Sequence, residues 1–314
     1  MIMLADRIAE NTARIVPAML MLLALCTGAV AVNPGSFGPS DMVTGGTELV
    51  PGSVSSVTGS GNFRSINTTG QETIINYKRF NVWEDWTVNF QQPGPTAATL
   101  NRVTGCSVSK IMGTLTSNGQ VFLVNPAGIV FGKNSQISMP RMVASGLNLS
   151  NEEFRKLARN PLNDTESVRF IAPRSGGRVE MCWESGTKGI KQPNFNVDHL
   201  YLIGTQVENY AQIQGYSPQT NPYVVMAAAT GDVLITNWNQ QNIAVQVSAA
   251  TLPPKKSTLG AGDIISLAVL DTSLVAMVSE RDTRVNDSAV GPGSIGSTGN
   301  VLMTAGRDNV IGGD

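Results

Sequence analysis

The side chains able to do chemistry are few and scattered in this chain. His199 is the only histidine among 314 residues, and it directly follows Asp198. An imidazole could act as the base for a hydroxyl or thiol nucleophile, but the acid orienting it must converge on the same ring, and strand neighbours point to opposite faces. No Gly-x-Ser-x-Gly elbow accompanies it. His199 therefore reads as a loop or strand-edge residue. A zinc site needs at least three His, Cys or carboxylate ligands at close spacing, and none cluster. Asp263, Asp271, Asp282 and Asp287 lack the nonapeptide period of calcium-binding β-rolls and read as solvated turn carboxylates. No phosphate-binding glycine loop is found. Of the tight acidic groups, Glu152-Glu153 falls at a helix start, where acids favour the dipole. Glu84-Asp85 lies between Trp83 and Trp86, a cluster that could stack on a sugar but reads first as packing on the protein body. With Arg281-Asp282 these are all the close pairs, and no catalytic site can be built from them. The expectation is a protein that is not an enzyme and binds no metal or cofactor.

The most informative stretch is Gly-Gln-Val-Phe-Leu-Val-Asn-Pro-Ala-Gly-Ile-Val-Phe-Gly over residues 119 to 132. Asn125, Pro126, Ala127 and Gly128 suit a type I turn: the Asn side chain caps its own backbone, Pro126 presets φ and Gly128 relaxes the exit. The flanking runs do not alternate apolar with polar. Strands apolar on both faces are buried on both, as in parallel sheets, so this reads as a bend between two buried strands of one wound layer.

Around it, short β-type runs succeed one another from Phe63: Thr73 to Tyr77, Thr87 to Phe90, Val108 to Met112, Val121 to Val124, Ile129 to Phe131 and Gln136 to Met139, with Gly, Asn or Pro in nearly every gap. One helix is expected, with Ser150 as N-cap, Glu153 completing a capping box, and Phe154, Leu157 and Ala158 on one face before Asn160-Pro161. Residues 160 to 198 read as an insertion. The regular texture returns at Leu200 to Ile203, Ile213 and Tyr223 to Ala229, and the phrase from Gly231 to Thr236 is echoed from Gly299 to Ala305. Such recurrence fits a parallel β-helix, in which each coil buries its apolar face on the next. A sandwich or jelly roll would show cleaner alternation and more two-residue hairpin turns.

Only 14% of residues are charged, glycine numbers 32, and the net charge is −1. There is no basic footprint, so nucleic acid is not the expected partner. Arg7 and Arg14 precede the uncharged run from Ile15 to Val32, and Ala29-Val30-Ala31 has the form that signal peptidase cuts after. Residues 1–31 read as a signal peptide, the competing reading being a retained membrane anchor. Residues 32–62, rich in Gly, Ser and Thr, read as an irregular lead-in and cap. Of the cysteines left after that cut, Cys106 and Cys182 could form one disulfide in an oxidising compartment, though the sequence supplies no geometry for it.

The ordered set Leu100 to Gly105, Ser109 to Gly119, the strand-turn-strand, and Met142 to Leu147 resembles the N-terminal secretion (TPS) domain of the filamentous haemagglutinin family, the exported partner in two-partner secretion. The resemblance extends more weakly from residue 45 to about 240. It implies an all-β, right-handed parallel β-helix with an N-terminal cap, extra-helical β elements and one short helix. The secretion domain would cover 63–245, and 246–314 would add coils or begin a truncated passenger. It further implies export through the periplasm to the cell surface or medium by an outer-membrane β-barrel transporter bearing POTRA domains. The chain would be a monomeric exoprotein or adhesin, meeting host cells or surface glycans through a passenger. The family's hallmark turn falls on Asn125, Pro126, Ala127, Gly128 and Ile129, with Ala127 where the family usually has Asn. Structural motif positions fall on Asn101, Arg102, Val103, Ser109, Gly113, Asn118, Gly119, Phe131 and Gly132. The family's second motif, Asn-Pro-Asn-Leu, is absent. The alternative is a β-helical carbohydrate-active enzyme, a polysaccharide lyase or hydrolase, which would need acids converging on one groove.

Overall fold

A computed structural model describes residues 47–48, 54–159, 167–174, 176–182, 184–186, 189–216, 223–239, 242–247, 263–266, 270–279, 282–285 and 297–305. The expected signal peptide lies outside them, and no described helix is long and apolar enough to cross a membrane.

The chain winds as a parallel β-helix whose successive coils pair in register on three sheets. The long sheet stacks Glu72–Tyr77, Ala98–Val103, Gln120–Val124, residues 141–145, residues 199–204, Tyr223–Ala228, Leu270–Ser279 and Ser297–Ala305. A second sheet stacks Phe63–Thr68, Thr87–Gln91, Thr114–Ser117, residues 136–138, residues 194–196 and Gln212–Gln214. A third stacks Ser109–Ile111, Ile129–Phe131, Arg178–Met181, Gln206–Asn209, Asp263–Ser266 and Asp282–Val285. Equivalent positions in the long sheet, Asn101, Leu123 and Ala144, recur at the expected twenty-odd residues. The next, Leu202, comes far later because a side structure intervenes.

The unalternating apolar runs have a direct cause. Val121, Leu123, Met142, Ala144, Leu200 and Leu202 point into the coil interior with Ile111, Leu115, Phe131 and Phe195. Their strand neighbours Phe122, Val124, Val143, Tyr201 and Ile203 point outwards, and are just as buried, under a second layer. That layer is a four-stranded sheet of Asn148–Leu149, Ser167–Ile171, Val233–Asn239 and Asn242–Val247, antiparallel throughout, with the helix Asn151–Ala158. Eight residues make a marginal helix alone. Here Phe154, Leu157 and Ala158 are buried, and Phe154 meets Phe122 edge to face at 5.0 Å. Ser150 caps as expected, its hydroxyl accepting the Glu153 N–H at 3.1 Å. The Glu153 carboxylate does not close a capping box; it accepts the Arg169 N–H at 2.7 Å, tying helix to sheet.

Two sequence readings are corrected here. The phrase from Gly231 to Thr236 is not a coil: Val233–Asn239 leaves the helix for the outer layer, whereas its echo lies on Ser297–Ala305 of the long sheet. Within residues 160 to 198, Arg178–Met181 and Asn194–Gly204 are coil strands, so among the described strands of this stretch the hairpin of Glu184–Gly186 with Gly189–Lys191 and Ser167–Ile171 stand outside the coils. Inside the stretch read as an irregular lead-in, Thr47–Glu48 and Val54–Thr58 lie antiparallel on Glu72–Tyr77 and Phe63–Thr68 of the first coil.

Because the outer layer rests on the Phe122–Phe154 contact, Phe154→Ala should cost about 3–5 kcal/mol. The readout is a lowered urea midpoint, with faster amide exchange in Asn151–Ala158 than in Gln120–Val124; equal loosening of both would show that the layer is not a separable cover.

Candidate functional site

The motif turn is a corner between the long and third sheets, and Asn125 is wholly buried there. Its Oδ1 accepts the Ala127 N–H at 2.9 Å, and its backbone carbonyl accepts the Gly128 N–H at 2.9 Å, closing the turn. Its Nδ2 donates backwards to the previous coil, to Ser107 O and Ser109 Oγ, both at 2.9 Å. The Asn125 N–H donates forwards to Ser145 O of the next coil, also at 2.9 Å. One residue thus joins three successive coils. A carboxamide can do this because it carries donor and acceptor together. Gly128, at φ +116°, occupies a conformation that disfavours side chains, and a Cβ there would sit 3.0 Å from Arg178 O. Pro126 and Ala127 are half-buried.

Of the other motif positions, Ser109 alone shares this corner directly. Asn118 and Gly119 form a second corner, where Asn118 and the Gln92 backbone exchange hydrogen bonds at 2.7 and 2.8 Å. A Cβ on Gly119 would collide with Ala97 O at 2.7 Å. Gly113 is required for the same reason, a Cβ there lying 2.0 Å from Trp83 O. The side chain of Met112 crowds Gly132 similarly. Asn101 faces the interior, donating to Thr99 O and Phe122 O at 3.3 Å, and Val103 lies beside it. Phe131 packs on Phe195 at 5.1 Å. Arg102 points outwards, donating to Leu149 O and Asn151 Oδ1 at 2.7 Å, and so pins the start of the helix. Desolvation lowers its pKa. The motif is therefore chiefly a framework: corners, core and one anchor.

Catalytic chemistry finds no support in these positions. Burial first, and the Arg141 charge second, push the His199 imidazole down to about 3, so it is neutral and a poor base. The Asp198 carboxylate accepts the Tyr216 N–H at 2.8 Å. Trp83 and Trp86 pack against the interior core, and Arg64 sits 5.2 Å over the Trp86 ring. Cys106 and Cys182 are not joined: Cys106 is exposed, while Cys182 lies half-buried beside Glu180, its thiol pushed up to about 11 by burial above all. No group of three potential metal ligands occurs among the described residues. Asp263, Asp271 and Asp282 are described by backbone alone, and Asp287 lies outside the described residues.

Sequence reasoning missed two features. Arg178 Nη2 bridges Glu180 and Glu208 at 3.1 and 2.8 Å on the third sheet, beside the motif turn. Burial raises the Glu208 pKa against the pull of Arg178. Arg178 and Glu180 share one strand, and the register brings Glu208 to them from the next coil. The second is the helix C-terminus, where Arg141 donates to Leu157 O at 2.9 Å and Gln120 to Ala158 O at 3.3 Å. No local signal marks either residue as a cap.

The family profile described as TPS secretion domain matches residues 43–311. Two curated proteins of Haemophilus influenzae, each named heme/hemopexin-binding protein, are similar to the chain. The protein of strain Rd is 25% identical over 206 residues, 65% of this chain and 21% of its own length. The other is 30% identical over 126 residues, 40% of this chain and 13% of its own. The chain thus spans about a fifth or less of these relatives. The crystal structure of the HMW1 secretion domain from Haemophilus influenzae shares the fold, with a TM-score of 0.58 at 20% identity over 83% of this chain and 64% of that one.

Asn125→Ala removes three side-chain hydrogen bonds from a dry corner and should cost about 1–3 kcal/mol, read as a lower urea midpoint. Asn125→Asp keeps the acceptor for Ala127 but sets a second oxygen against Ser107 O, and should be worse than Ala at neutral pH. A variant at least as stable as Asn125→Ala would show that the backward bonds carry little. His199 supplies a pH signature. Its pKa of about 3 when folded lies below the 6.5 of an unperturbed imidazole. The unfolded state alone takes up a proton between these values, so stability is full above 6.5 and declines as pH falls towards 3. The midpoint should fall more steeply with acid in the wild type than in His199→Gln; parallel curves would refute the assignment.

Proposed function

Because the chain belongs to the TPS secretion-domain family, we propose that it is the exported partner of a two-partner system, addressed to an outer-membrane β-barrel transporter through that transporter's periplasmic POTRA domains. The route runs through the periplasm, after removal of residues 1–31, to the surface or medium. The observation that best supports this is the Asn125 corner: its buried half ties coil to coil, while its half-exposed edge at Pro126 and Ala127 offers a fixed feature to read. Growth of the fold suits such export, because a chain emerging extended can add one coil at a time, each strand pairing with the open edge of the last. The activity on arrival is proposed to be adhesion through a passenger. A second reading, ligand capture of the kind named in the heme/hemopexin-binding relatives, is favoured by those two similarities alone.

The test is secretion in a Gram-negative host with and without a co-expressed POTRA-bearing barrel. The chain should reach the medium only with the barrel, and Asn125→Leu should retain most of it in the periplasm. Release without the barrel, or undiminished release of Asn125→Leu, would overturn the assignment.

A further inference from the structure

The three sheets share one interior but differ outside. The long sheet is covered by the helix and the antiparallel layer. The third carries Lys110, Glu180 and Glu208 in one column. The second carries no covering layer among the described residues, and its charge is confined to Arg64, beside Phe63 on the first coil. Its outward positions form two columns in register across consecutive coils, Thr87, Thr114, Gln136, Asn194 and Gln212 beside Asn89, Thr116, Ser138, Asn196 and Gln214. Between them Val88, Leu115, Ile137 and Phe195 point inwards, which fixes the spacing of the outer row. Charge returns only at Asp271, the next residue in register after Gln214.

This face is built as well as neutral. Thr116 Oγ1 donates to Asn89 Oδ1 at 2.9 Å, Ser65 Oγ to Asn67 Oδ1 at 3.0 Å, and Asn67 Nδ2 to Ser56 Oγ at 2.8 Å. These bonds hold the row in place along the axis, so little side-chain freedom remains to be lost on binding. At one end Phe63 is 43% exposed, and at the other Tyr216, just past Gln214, is 40% exposed. The separation of the end coils, five strand spacings, is about 24 Å.

We propose that this face binds a neutral polysaccharide lying along the helix axis. Sugar hydroxyls donate and accept together, as amides and hydroxyls do, and match a row of Thr, Asn, Ser and Gln. An uncharged chain takes no advantage from charged partners, and the two columns from Thr87 to Gln214 carry none. Exposed aromatic rings at both ends supply the apolar surface on which the C–H faces of pyranose rings stack. An acidic glycan would instead call for cations along the columns, where Arg64 at one end is the single cation among the described residues. The track belongs to the secretion domain itself, and the proposal stands independently of the export route.

The test uses the full chain and affinity electrophoresis in gels containing soluble neutral polysaccharides, namely a mixed-linkage β-glucan, a galactomannan, a xyloglucan and an unbranched dextran, with heparin as the acidic control. At least one neutral polymer should retard the chain, and heparin should not. Gln136→Lys with Gln212→Lys places charge on exposed outward positions, and should weaken the retardation about tenfold or more while leaving the melting temperature unchanged. Phe63→Ser should weaken it too. Retardation by none of the neutral polymers, stronger retardation by heparin, or retardation unchanged in both variants would overturn the proposal. So would a concentration-dependent dimer that Gln136→Lys abolishes, since the face would then be occupied by a second copy.

Discussion

Each coil of this protein completes its backbone hydrogen bonding only on the coils beside it, in register, and that constraint governs nearly every residue choice. A parallel rung places each side chain directly over its counterpart, so the interior becomes columns such as Val121, Met142, Leu200 and Val224. Where the chain turns between sheets, neighbouring corners approach so closely that a Cβ has no room. A methyl on Gly146 would lie 2.0 Å from Gly177 O, and one on Gly204 2.7 Å from the same atom. Asn125 solves the corner differently, using a buried amide to bond both its own turn and the coil behind.

The stacking constraint also explains what could be read from sequence. A residue forced by its immediate surroundings leaves a local trace: Asn125 with its turn, the doubly apolar Val121 to Val124, the Ser150 cap and the buried face of the short helix all belong to this class. Register across coils leaves none. Arg178 meets Glu208 because a hairpin insertion between them happens to return the chain to the neighbouring rung. The outer layer was equally hidden, since Val233-Leu234-Ile235 is an apolar run much like those of the coil strands. Its presence was nonetheless implied by Phe122 and Tyr201, large apolar residues on the outer side of a strand that would otherwise face water.

That outer layer is attached by polar contacts as well as burial, and they fall at its ends. Arg102 holds the start of the helix through Leu149 and Asn151, while Arg141 and Gln120 take up the last carbonyls, leaving the helix's unpaired C-terminal groups satisfied by the coil. Arg155 and Arg159 reach Glu72 in the first coil at 3.4 and 3.3 Å, but these pairs are largely solvent-exposed and contribute little. The grip therefore lies in carbonyls accepting from partly or wholly buried guanidinium and amide groups. This accounts for an arginine in the motif that takes no part in the turn.

A stack of open strands is a hazard at its ends, because an unpaired edge will accept any extended chain. At the start of this molecule the hazard is met by reversing the chain. Thr47–Glu48 and Val54–Thr58 pair antiparallel with the first coil, and antiparallel pairing cannot be continued by another coil of the same winding. Register can therefore propagate from this end in one sense only, from capped to open. Such polarity is what a fold assembled from an emerging chain requires, for it makes the first coil a fixed template and leaves the growing edge at the later coils. The asymmetry arises from two short strands, and it gives the solenoid a beginning.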